Sequence, residues 1–174
     1  MSRFKRALGT TKFQVAVTTI FLLTFVISLI GSGILAIEYV SVYDTANKFN
    51  PQVSQILKEA PDSTTRIISI RIPVQNNGSR LIHIQGYAFF VNLNGQTIAL
   101  RETFEDIFII PGQRADIWGN FTFHDAEAQP ILDAEISGEW SWVIRYPMRV
   151  YVGERLYVLY QNFVTVFQGV EEVN

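Results

Sequence analysis

The chain has 174 residues, 48% of them hydrophobic and only 17% charged, with no cysteine and a formal net charge of −2. Its length suits one domain plus an appendage, and the lack of cysteine excludes a disulfide framework and thiolate chemistry. Every acidic residue follows a basic N-terminal group, so the bulk of the chain is net negative. Phosphate binding needs a basic surface, so this charge argues against nucleic acid as a partner.

Residues 1–12 form a basic tail, with Arg3, Lys5, Arg6 and Lys12 and no acidic residue. Residues 13–40 are predicted to be a transmembrane helix, because no charge occurs between Phe13 and Ile37. At 1.5 Å per residue this run reaches about 37 Å, enough to cross a hydrocarbon core of about 30 Å with some tilt. Glu38 and Asp44 follow it. The positive-inside rule then gives a single-pass protein of the cell membrane, N-terminus cytoplasmic and C-terminal domain extracytoplasmic. A cleaved signal peptide ending near Ala36 is the competing reading. The apolar run exceeds the usual h-region, so an uncleaved anchor is expected.

Thr24, Ser28, Ser32 and Ala36 recur every four residues. They line one helix face, narrow enough for a second membrane helix to approach. Residues 41–65 read as a stalk. There Asn50-Pro51 resembles an N-cap followed by proline at the first helical position, and Val53, Ile56 and Leu57 suit a short amphipathic helix.

From Arg66 the apolar period changes to two, with Ile68, Ile70, Ile72 and Val74 on one face. A turn at Asn76-Asn77-Gly78-Ser79 leads to a strand containing Gly86, a bulge candidate. Asn94-Gly95 is a type I′ hairpin signal. A short run, Ile107–Ile110, stops at Pro111-Gly112, and RADIWGNFTF alternates again. His124–Gly138 is a long polar interval able to hold a helical turn, and EWSWVIRYP, RVYVGERLYVLY and NFVTVF read as further strands. Seven or so short strands across 66–174 give an all-β antiparallel sandwich of immunoglobulin-like type, behind one transmembrane α-helix.

The stretches ISIRIPVQNNGSRLIHIQGYAFFVNLNGQTIAL and IFIIPGQRADIWGNFTF resemble the late-embryogenesis-abundant type 2 family, also called the WHy domain. The shared features are the Asn-rich turn after Val74, the strand Ile82–Leu93, the Asn94-Gly95 hairpin and the Pro111-Gly112 turn. Asn77 stands where the family usually has proline. The resemblance covers the middle third of the chain. It implies a small antiparallel sandwich, often behind one membrane helix, with no known active site.

Candidate chemistry is sparse. His83, between Ile82 and Ile84, should point away from the aliphatic face, and His124-Asp125 with Glu127 lacks a further residue at ligand spacing. Glu102, Glu105 and Asp106, and separately Asp133 and Glu135, offer oxygens without a calcium-loop pattern. No phosphate-loop, dinucleotide, nucleophile-elbow or zinc-protease motif occurs. No catalytic residue, metal or cofactor is therefore assigned. Asn77-Gly78-Ser79 and Asn120-Phe121-Thr122 are N-glycosylation acceptor sequons at Asn77 and Asn120. Trp118, Trp140 and Trp142 are either sandwich core or interface aromatics.

These features predict a non-catalytic, membrane-anchored accessory or structural subunit of a membrane or cell-surface assembly. Its partners would be the lipid bilayer and other membrane or surface proteins. One alternative is an archaeal pilin-like filament subunit, suggested by Lys5-Arg6-Ala7 before the apolar run. Another is a ligand- or metal-binding subunit of a membrane enzyme, using His124 and its neighbouring carboxylates.

Overall fold

The computed structural model describes residues 2–153 and 158–173, and the side chains of 14–153 and 162–173. The side chains of Arg3, Lys5, Arg6, Lys12, Tyr157 and Tyr160 lie outside the described residues. The chain divides into two units, Met1–Val40 and Ser41–Asn174.

The first unit belongs to helix α1, which spans Ser2–Lys48. It runs beyond the predicted 13–40 at both ends. Leu, Ile, Val and Phe side chains from Val15 to Ile37 are exposed on every side of it. From Gln14 it is long and apolar enough to cross a membrane. At the far end, Glu38 to Lys48 contains no glycine or proline to stop the helix. The Lys48–Asp44 ion pair at 2.7 Å reinforces the last turn.

In the second unit two sheets face each other across one apolar core. Strands β1 (Gln55–Glu59), β2 (Thr65–Gln75), β3 (Ile82–Leu93), β4 (Gln96–Thr103), β5 (Ile107–Ile109) and β6 (Arg114–His124) come first. A 3₁₀ turn at Asp125–Ala128 and helix α2 (Gln129–Ser137) follow, and then β7 (Ser141–Val152), β8 (Val158–Gln168) and β9 (Glu171–Glu172). One sheet has the order β6-β2-β1-β9 and the other β4-β3-β7-β8, with β5 also on β3. Alternation builds the core. Ile68, Ile70, Ile72 and Val74 of β2 meet Ile82, Ile84, Phe89, Val91 and Leu93 of β3, and Trp142, Ile144, Tyr146, Met148 and Val150 of β7.

Several expectations are corrected. The amphipathic helix of the stalk is not present: Gln55–Glu59 is β1, paired antiparallel with Ile67–Arg71 of β2. The 3.6-residue spacing of Val53, Ile56 and Leu57 fits a short helix in isolation, but pairing with β2 buries Ile56 and Lys58 at period two. Pro51 starts no helix; its carbonyl accepts the Tyr146 hydroxyl at 3.0 Å. The sheets are not wholly antiparallel, because β9 joins β1 in parallel. The strand expected at EWSWVIRYP runs through Pro147 into residues 149–152 as β7, and the far end of the expected strand RVYVGERLYVLY, from Val158, joins NFVTVF in β8. Proline is tolerated within β7 because the β3 ladder steps from Tyr87↔Met148 to Phe90↔Arg145 without pairing at Pro147. The bulge at Gly86 and the Asn94-Gly95 hairpin are present, with positive φ at both turn residues.

One polar joint ties together two chain reversals of this unit, between β2 and β3 and between β5 and β6. Asn76 is fully buried. Its side-chain amide donates to the carbonyls of Arg80 and Ile109, both at 2.7 Å, and its side-chain oxygen accepts from the Gly78 N–H at 3.0 Å. Its backbone bonds Gln113 and Gly112 on the β5–β6 turn. Beside it Thr45, also fully buried, accepts the N–H groups of Ser79 and Arg80 at 3.1 and 3.3 Å. The Thr45 hydroxyl donates to the Ser41 carbonyl at 2.8 Å. The final turns of α1 are thus part of the sandwich unit.

A Cβ at Gly78 would overlap the Thr45 side chain, so Gly78→Ala should destabilise the domain. Asn76→Ala should do so by about 1–3 kcal/mol, because it strands the buried Ile109 carbonyl and the part-buried Arg80 carbonyl. Denaturant midpoints of the full chain in detergent measure both, and an unchanged midpoint for either variant would contradict this joint.

Candidate functional site

An open groove lies where the edge strands β4 and β6 of the two sheets approach each other. Residues Gln96–Arg101 of β4, Asn120–Phe123 of β6, and Glu127, Gln129, Pro130 and Asp133 border its volume of about 620 Å³. Alternation turns Phe121 and Phe123 inward as its apolar floor and leaves Asn120 and Thr122 on the rim. Arg101 spans the groove, its guanidinium donating to the Asn120 carbonyl at 2.6 Å. Asp133 accepts the Gln129 side-chain amide at 2.7 Å. This arrangement sets hydrogen-bonding groups around two largely buried phenyl rings.

Beside α2, a network of charges closes the sandwich. Glu135 accepts Arg66 Nε at 2.8 Å and Nη2 at 3.0 Å, and Lys58 Nζ at 2.9 Å. Lys58 also pairs with Glu172 of β9 at 2.9 Å and lies over the Trp140 ring at 5.4 Å. The Arg66 hydrogen bonds hold the Glu135 carboxyl below its usual range; burial opposes this, and Lys58 adds to the lowering. Burial pulls Lys58 down, but the bonds and charges of Glu135 and Glu172 together leave it raised. This network joins β1, β2, β9 and α2, a structural use of charge. Lys58 alternates with Ile56 along β1, and that period-two spacing was its trace in the sequence.

The residues singled out from sequence are scattered. Thr24, Ser28, Ser32 and Ala36 are exposed on α1, and the Thr24 hydroxyl donates to the Ile20 carbonyl at 2.9 Å. Asn77 is exposed at the β2–β3 turn and Asn120 on β6. Trp142 is no surface aromatic. It is fully buried, and its indole N–H donates to the Gly169 carbonyl at 2.9 Å. Trp140 is half-buried and stacks on it with 5.9 Å between ring centroids. Trp118 is 39% exposed, with Arg71 over its ring.

His83 points away from the core, as expected, and there Phe108 and Tyr151 stack on it. Its Nε2 meets Asp106 at 2.6 Å. His124 Nδ1 lies 3.2 Å from the Thr65 hydroxyl, which donates to Asp62. Among the described residues no group of three or more His, Asp or Glu is placed to hold a metal. The acidic cluster is divided: Tyr87 donates to Glu105, while Asp106 faces His83.

No family model matches the chain, and no curated protein matches it. Among solved structures, a protein from Archaeoglobus fulgidus is similar at 11% identity and a TM-score of 0.46, over 73% of this chain and 98% of that one. A Bordetella pertussis protein provisionally named ApaA matches at 10% identity and 0.47, over 71% and 94%. A beta-glucosidase from Kluyveromyces marxianus matches at 14% and 0.33, and there 66% of this chain covers only 15% of the enzyme. Likeness at this level assigns neither family nor activity.

Two outcomes are expected. Since the folded pKa of Glu135 lies below its unfolded value, its contribution is present above the ordinary glutamate range and is lost as pH falls through the folded pKa. Glu135→Gln should cost about 2 kcal/mol near neutral pH and flatten the acid limb of stability against pH. In the native chain, acrylamide should quench Trp118 readily and leave Trp142 protected. Single-tryptophan variants would show this, and a quenchable Trp142 would contradict the burial described.

Proposed function

We propose that the chain is a non-catalytic, single-pass membrane protein that presents a β-sandwich outside the cell membrane, as an accessory or structural subunit of a membrane or surface assembly. The observation that carries this reading is α1. Its apolar side chains are exposed all round from Val15 to Ile37, and a helix of that kind is solvated by lipid or by other helices, not by water. That its last turns, Ser41–Lys48, belong to the sandwich unit supports a retained anchor over a cleaved signal sequence. The basic flank before the helix supports a cytoplasmic N-terminus.

The finer assignments belong to the same proposal. The immunoglobulin-like, late-embryogenesis-abundant type 2 identity of the sandwich is supported by the joint between its two signature turns, Asn76 to Gly112. The Thr24, Ser28, Ser32 and Ala36 face is the surface for a partner helix. The exposed Asn77 and Asn120 are the sites a glycosylating host would modify. The ion pairs support a non-catalytic role, since Lys58, Arg66 and Glu135 are engaged in linking strands to α2.

Membrane retention after alkaline carbonate washing tests the anchor, and release into the supernatant would overturn it. Because the chain has no native cysteine, topology can be read directly. An impermeant maleimide on intact cells should label Gln96→Cys and spare Ser2→Cys; the reverse pattern would overturn the orientation. Ser28→Leu with Ser32→Leu should reduce recovery of co-purifying membrane protein roughly tenfold if that face is a contact.

A further inference from the structure

The four outer strands of the two sheets are finished differently. β9 is two residues long, both glutamate. β6 carries Arg114 and Asp116. β4 carries Arg101 and Glu102, and Arg101 bridges to β6. β8 has no such device. It reads VLYQNFVTVFQ, eleven residues without charge, proline or glycine. It pairs with β7 in unbroken register from Ser141↔Gln168 to Tyr151↔Val158. Among the described residues nothing pairs with its other edge. A long, regular, uncharged edge is a template for another strand.

The outward face of β8 itself carries two apolar side chains next to that edge. Phe163, Thr165 and Phe167 turn inward, where Thr165 bonds the Tyr146 hydroxyl. Val164 and Val166 turn outward and are 55% and 64% exposed. The row through Val164 continues across β7, β3 and β4 as Arg145, Phe90 and Leu100.

We infer that β8 is a self-association edge, on which a second copy of this chain pairs antiparallel, β8 to β8, about a twofold axis. Charge selects the occupant. The domain is net acidic, so two copies repel over most surfaces, but β8 has no charge to set opposite its own copy. Pairing buries Val164 and Val166 of one copy beside those of the other, and the interface closes because both partners use the same edge. The charged or bridged edges of β4, β6 and β9 stop further growth. Confinement to one membrane plane, which rests on the anchor proposed above, raises the effective concentration; the pairing itself does not require it.

The test uses the full chain in detergent, with mass measured by light scattering across a dilution series. Wild type is expected to dimerise. Val166→Lys, at an exposed position, is expected to weaken the dimer at least roughly tenfold while the melting temperature at low concentration stays unchanged. A second readout does not depend on that variant. Under mild oxidation Val166→Cys should form a disulfide-linked dimer, and Gln96→Cys on β4 should not. A wild-type chain that stays monomeric overturns the proposal. So does a dimer that survives Val166→Lys, or one lost instead in Ser28→Leu/Ser32→Leu, which would place the contact in the helix. Carbonate washing tests the anchor separately, so the two readings fail independently.

Discussion

Much of the second unit depends on two buried polar side chains, Asn76 and Thr45, which satisfy the backbone at chain reversals that no ladder reaches. A sandwich leaves unpaired peptide groups where strands turn, and burying them without partners costs more than the bonds would contribute. The Asn76 amide serves the carbonyls of Arg80 and Ile109, while its backbone holds the β5–β6 turn. Thr45 serves the N–H groups of Ser79 and Arg80 from the helix side. Gly78 is glycine because a side chain there would occupy the space of Thr45. One cluster thus sets the β2–β3 turn, the β5–β6 turn and the seat of the last turns of α1.

At the other end of the sandwich the same problem is solved with charge. Between β6 and β7 the chain crosses from one sheet to the other through α2, and Glu135 on that helix receives Arg66 and Lys58 from β2 and β1. These cations are nearly buried, so the carboxylate is their substitute for water. The Asn94 side chain does similar work with neutral groups, bonding Glu139 and Ser141 beside its hairpin. The polar groups of this domain are thus largely engaged in closing it, and the surfaces left over differ: a polar-rimmed groove at β4 and β6, and an uncharged edge at β8.

The apolar run of α1 and the β-rich second unit were legible in the sequence, because both rest on local periodicity. The Asn94-Gly95 turn and the Gly86 bulge were legible for the same reason, since backbone conformation there depends on residue type. The stalk was misread. Val53, Ile56 and Leu57 fit a short helix by spacing, and only the presence of β2 alongside made Gln55–Glu59 a strand. Trp142 was open between core and interface until the opposing sheet covered it. The groove was not legible, since β4 and β6 meet there from different sheets.

By itself, then, the sequence determined the elements whose signal repeats within a few residues: an apolar helix long enough for a bilayer, alternating strands, and turns built on glycine and asparagine. The tertiary structure alone decided which strand lies at an edge, which carboxylate meets which cation, and that Asn76 and Thr45 share one joint. Thr45 and Arg80 are far apart along the chain, and their contact is a property of the closed sandwich. No local periodicity encodes it, because the desolvation that makes such a bond necessary begins only when the sheets close.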